Sequence, residues 1–98
     1  MTTYEGSTAH DGSTFSEQVD GRAGVVRARG HLSVQAADLL TGTATTLHRE
    51  GHRRVLLDLQ AVRGIDDDGL LLLEQLRETI AARGGRVVVL SPRRPPEP

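Results

Sequence analysis

The sequence predicts an α/β domain: a mixed four-stranded sheet with helices, ordered strand, strand, helix, strand, helix, strand. Three observations carry that expectation. The runs Val55-Leu56-Leu57-Asp58-Leu59 and Val87-Val88-Val89-Leu90 have the apolar density of strands buried on both faces. Before each run lies a stretch whose apolar residues recur at helical spacing. Buried strands joined by helices imply right-handed crossovers, and therefore parallel neighbours.

Residues 1–12 are rich in Gly, Ser and Thr without periodicity, so they read as a disordered leader and the domain is expected over 13–92. Thr14 to Val19 alternates weakly, Gly21 to Gly24 reads as a turn, and Val25-Val26-Arg27-Ala28-Arg29 completes a hairpin. Gly30 is expected to break that second strand. Ser33 then suits the N-cap of a helix reaching about Glu50, with Ala36, Leu39, Leu40, Ala44 and Leu47 as its apolar stripe. Gly42 and the threonines around it lower its intrinsic helicity, so packing has to hold it.

Gly51 stops that helix, and the third strand is expected from Arg53 to Val62. One of Asp66, Asp67 and Asp68 should cap the second helix. Its core face reads Leu72, Leu73, Leu76 and Ile80, while Glu74, Arg77, Glu78 and Arg83 face water. Acids at its start and Arg83 at its end both complement the helix dipole. Gly84-Gly85 supplies a left-handed C-cap, and the fourth strand, Val87 to Leu90, follows. Residues 93–98 are half proline and read as a tail.

Composition narrows the function. At 98 residues the chain holds one small domain. Tyr4 and Phe15 are the only aromatic residues, so no platform for stacking bases exists, and a net charge of -1 provides no basic stripe for phosphates. Nucleic acid is not an expected partner. Cysteine is absent, and no segment resembles a secretory signal or a membrane span, which together suggest a cytoplasmic protein without a membrane partner. All twelve basic residues are arginine, so Schiff-base chemistry and lysine phosphate clamps are excluded.

The chemical centre is the junction Ile65-Asp66-Asp67-Asp68-Gly69, where a strand feeds three carboxylates into a helix start. Capping explains one aspartate at about 1 kcal/mol, but three adjacent charges repel one another. A metal site fits poorly, because consecutive residues at a helix start diverge by about 100° and the alternating ligands of a calcium loop are missing. His48 and His52 have i, i+4 spacing, yet Gly51 between them ends the helix. Asp58 superficially resembles the phosphoacceptor of receiver domains. That family also needs an acidic pair after its first strand and a lysine after its last, and this chain has neither.

Four motifs in order make the chain resemble the STAS domain of anti-sigma factor antagonists, from about Thr14 to Pro92. They are Gly30-His31-Leu32 before the first helix, Leu56-Leu57-Asp58-Leu59 in a strand, Ile65-Asp66-Asp67-Asp68-Gly69-Leu70 at the junction, and Arg83-Gly84-Gly85-Arg86 before the last strand. The resemblance implies a non-catalytic binding module with no cofactor and no metal. In that family the junction reads Ile-Asp-Ser-Ser-Gly-Leu, and a partner that is both a serine kinase and an anti-sigma factor phosphorylates the second serine. Phosphorylation breaks the complex, since the phosphate adds about -1.5 to -2 charges at a helix N-terminus.

Carried over by position, Asp68 stands at the phosphoacceptor, Asp67 at the preceding serine and Asp66 at the family aspartate. Asp68 has no hydroxyl, so it cannot be phosphorylated as the serine is, and its single charge imitates the phosphorylated state only in part. Ser33 stands where many antagonists have an aspartate near the phosphorylation surface. The expected partner-binding set is thus Ser33, Asp66, Asp67, Asp68 and Gly69. Family members usually continue into further helices, so the fold is expected to be STAS-like with the C-terminal helices missing, leaving an apolar patch for a homodimer or an obligate partner. The expected partners are an anti-sigma factor kinase or, as an alternative scaffolding role, other STAS proteins.

Overall fold

The computed structural model describes residues 15–91, so the expected leader and tail lie outside the described residues. The chain forms β1 (Ser16–Asp20), β2 (Val25–Leu32), α1 (Val34–Arg49), β3 (Arg54–Ile65), α2 (Asp67–Ala82) and β4 (Arg86–Leu90). That is the mixed sheet and element order expected from sequence, with strand order β1-β2-β3-β4. Only the β1–β2 pair is antiparallel; β2–β3 and β3–β4 are parallel.

The β1–β2 turn is held by Asp20, whose Oδ1 accepts from the backbone N–H groups of Arg22 and Ala23. Gly24 closes the turn at φ 71°, donating its N–H to the Asp20 carbonyl. His52, beyond the end of α1, braces the same turn by donating from Nε2 to the Gly21 carbonyl at 2.7 Å. His48 instead lies against Gly85, where an added Cβ would collide with its ring. The two histidines therefore serve separate contacts.

Gly30 does not break the second strand. It sits at φ 98° within β2, which runs on to Leu32 because β3 pairs with Gly30, His31 and Leu32 after the β1 pairing has ended at Arg29. β3 is also longer than expected, reaching Ile65, and two register shifts against β2 mark extra residues in it near Gln60 and Arg63. These bulges carry β3 forward to the junction.

Both helices cover one face of the sheet, and the core lies between. Val26, Ala28 and Leu32 of β2, Val55, Leu57, Leu59 and Val62 of β3, and Val87 of β4 meet Ala36, Ala37, Leu40, Ala44 and Leu47 of α1 and Leu73, Leu76 and Ile80 of α2. The expectation of strands buried on both faces is overturned. Leu56, Val88 and Leu90 point to the other face, which no described helix covers, and are only half-buried. Leu39 is likewise exposed rather than part of the α1 stripe, its place taken by Ala37. α2 ends in a Schellman motif, with Gly85 N–H bonding the Ile80 carbonyl, Gly84 N–H bonding the Ala81 carbonyl, and Gly84 at φ 86°.

Candidate functional site

The two helices start side by side at the ends of β2 and β3. Ser33 caps α1, its Oγ accepting from the Ala36 N–H at 3.1 Å. Asp66 occupies the equivalent position of α2 with extended backbone, but its side chain makes no capping bond. Its Oδ1 accepts instead from His31 Nε2 at 2.8 Å, with both side chains about half exposed.

This diversion has a local cause. His31 pairs with Gly64 across the β2–β3 ladder, just past the second bulge, and an added Cβ at Gly64 would stand 3.0 Å from His31 Nδ1. The bare glycine leaves the ring room to lie over β3 and reach Asp66. The Asp66 N–H bonds the Leu32 carbonyl at 3.0 Å, so backbone and side chain both tie the junction to the end of β2.

Asp67 and Asp68 form the first turn of α2, exposed, and no ion pair engages either among the described residues. Their charges complement the unpaired N–H groups at the positive end of the helix dipole. Gly69 is buried. A Cβ there would come within 3.1 Å of the Ser33 carbonyl oxygen and 3.2 Å of that of Leu32. Its lack of a side chain lets α2 start against the β2–α1 turn and so brings Ser33 and the three aspartates together.

Three of the exposed large apolar residues lie at these helix starts: Val34 at 41%, Leu70 at 45% and Leu71 at 55% exposure. Sequence reading placed Leu70 and Leu71 in an apolar helix without separating them from the core face. Carboxylates flanked by exposed leucines can dock a surface that offers cations and an apolar socket. No group of three or more His, Asp or Glu side chains is arranged to hold a metal among the described residues.

Asp58 lies elsewhere, in mid-strand on the uncovered face. Its Oδ2 is 3.7 Å from Arg27 Nε, and its Oδ1 accepts from the Gln60 N–H at the first bulge. Those contacts give it a structural occupation. Sequence reading did not single out Glu17 on β1, where Oε2 accepts from Thr43 Oγ1 of α1 at 2.8 Å while Oε1 is buried without a partner. Burial pushes its carboxyl pKa above the ordinary value, opposed by the Thr43 hydrogen bond.

Comparison with known proteins agrees with the fold. Residues 15–97 match the family model of the STAS domain. The chain is 34% identical over 71 residues to Sulfate transporter 2.2 of Arabidopsis thaliana, spanning 72% of its own length and 10% of the transporter. Its fold resembles the anti-sigma factor antagonist SpoIIAA in its unphosphorylated form, with a TM-score of 0.60 at 19% identity over 83% of this chain and 76% of that one. It also resembles a crystal structure of Mglu, with a TM-score of 0.59 at 25% identity over 87% of this chain and 23% of that one.

Proposed function

The chain belongs to the STAS domain family, and from that premise we propose that it is a non-catalytic regulatory module related to anti-sigma factor antagonists. It engages an anti-sigma factor of the serine-kinase type through Asp66, Asp67, Asp68 and the start of α2, with Ser33 alongside. The observation that supports this reading most is the exposed first turn of α2, where Asp67 and Asp68 have no ion-pair partner among the described residues and stand beside exposed Leu70 and Leu71. Asp68, at the position of the phosphorylated serine, leaves the module in a charged state that the kinase cannot write or erase. No residue is assigned a catalytic role.

The test uses a purified anti-sigma serine kinase with ATP. The unaltered chain is expected to gain no phosphate at residue 68, whereas Asp68→Ser gains one there and binds the kinase more tightly before modification. Phosphate transferred to the unaltered junction, or an Asp68→Ser variant that neither binds nor reacts, would overturn the reading.

A second reading is a scaffolding STAS unit that assembles with other STAS domains; the similarity to a sulfate transporter supports only that the role lies outside a sigma-factor pathway. Affinity for purified STAS paralogues together with indifference to the kinase would select it. No helix among the described residues is long and apolar enough to cross a membrane.

A further inference from the structure

Asp66 stands between two sets of donors. Its backbone is already that of a cap, extended at φ -74° and ψ 148°, and its carbonyl accepts the Leu70 N–H at 2.9 Å. Rotation of the side chain alone would carry the carboxylate toward the N–H groups of Asp68 and Gly69, the donors that an N-cap aspartate ordinarily satisfies. It stays with His31 Nε2 instead. A cap bond and an exposed hydrogen bond to an imidazole are of comparable strength, so the placement of His31 decides between them.

That placement is set by β2 and β3. The register shift between Gly30 and His31 brings His31 opposite Gly64. The ring lies where Gly64 has no side chain: a Cβ there would stand 3.0 Å from Nδ1 and 3.3 Å from Cε1, close enough to oblige the ring to move. Any side chain at position 64 would therefore disturb the reach of Nε2 to Asp66.

We propose that His31 is the positioning residue of the junction, holding Asp66 off α2 so that its carboxylate faces a partner together with those of Asp67 and Asp68. His31 takes Oδ1, and Oδ2, without a partner among the described residues, is left to accept from a cation. As a cap, Asp66 would have its charge matched to the helix N-terminus, and the surface would offer two carboxylates rather than three. His31 thereby selects a partner that sets an arginine or lysine against Asp66 as well as against the first turn of α2. This selectivity rests on the docking role proposed for the junction; the position of Asp66 in the free chain does not.

Amide hydrogen exchange of the full chain reads the position of Asp66 without any partner. In His31→Ala the carboxylate should fall back onto the helix and slow exchange of the Asp68 or Gly69 amide by about tenfold. Gly64→Ala should do the same in part by displacing the ring. His31→Gln, whose side-chain amide can donate to Asp66 as Nε2 does, should exchange like the unaltered chain. Unchanged amides in His31→Ala, or His31→Gln behaving as His31→Ala does, would overturn the proposal.

Binding of a purified anti-sigma serine kinase without ATP tests the selectivity. His31→Ala should bind about fivefold more weakly and His31→Gln as the unaltered chain does, while His31→Ala should have no further effect once Asp66→Ala is in place. Slowed amides with undiminished affinity, or losses that simply add, would show that His31 places Asp66 without serving the partner, and would overturn the selectivity. A kinase that binds neither the unaltered chain nor Asp68→Ser would remove the docking reading and the selectivity with it, and hydrogen exchange would still decide where Asp66 sits.

Discussion

Two helix starts sit next to each other in this molecule and use their cap residues in opposite ways. At α1, Ser33 turns its hydroxyl inward and satisfies the Ala36 N–H. At α2, Asp66 has the backbone of a cap but gives its carboxylate to His31, leaving the first-turn donors without a side-chain partner. Sequence statistics rank Ser and Asp nearly equal as caps. The difference lies in what surrounds each: nothing competes for Ser33, whereas a histidine lying over a bare glycine competes for Asp66. One start serves the fold; the other holds its charges and unpaired donors toward solvent.

The largest test of the comparison is Gly69, which brings the two starts together. Gly69→Ala puts a methyl group against the Leu32 and Ser33 carbonyl oxygens, which belong to backbone and cannot swing away. We expect a loss of about 1–3 kcal/mol in denaturant unfolding, with the Asp66 N–H losing protection from exchange as its bond to Leu32 lengthens. Full stability in this variant would show that the two starts are not mechanically coupled.

A paired substitution separates the two uses directly. Ser33→Ala removes a real cap and should cost about 1 kcal/mol at any ionic strength. Asp66→Ala removes an exposed hydrogen bond to His31 and a charge near the helix dipole, at about half that cost, and the dipole share of the loss should fade in about 1 M salt. Equal, salt-independent losses would mean that Asp66 caps α2 in solution after all.

Much of this arrangement is legible in the sequence, because periodicity and punctuation report local needs. The order of six elements, Ser33 as a cap, Gly51 as a stop and Gly84-Gly85 as a terminator are each decided within a few residues. What the sequence does not report depends on neighbours distant along the chain. Gly30 reads as a strand breaker but is held inside β2 by its pairing with Val62 of β3. Leu56, Val88 and Leu90 give the density of doubly buried strands, although the described helices cover one face, a consequence of two crossovers of the same hand in one direction across the sheet. At the junction the three charges were plain. The diversion of Asp66 was not, since it needs a bulge in β3 to set Gly64 beneath His31.

Glu17 extends the contrast from exposed acids to a buried one, with the smallest expected effect. The junction aspartates are exposed to water, whereas Glu17 is pressed between β1 and α1 with one oxygen satisfied by Thr43 and the other without a partner among the described residues. Burial raises its pKa in the fold, so the folded chain holds this proton at a pH where the unfolded chain, ionising near about 4.3, has released it. Stability from this group is therefore fully present below the unfolded value and is lost as pH rises through the folded one. Glu17→Gln keeps an acceptor for the Thr43 hydroxyl and cannot ionise. It should melt above the unaltered chain at neutral pH, and the gap should close as the solution is acidified toward about pH 4. A gap that stays constant with pH would assign the effect to packing and leave the carboxylate of Glu17 as well solvated as those of Asp67 and Asp68.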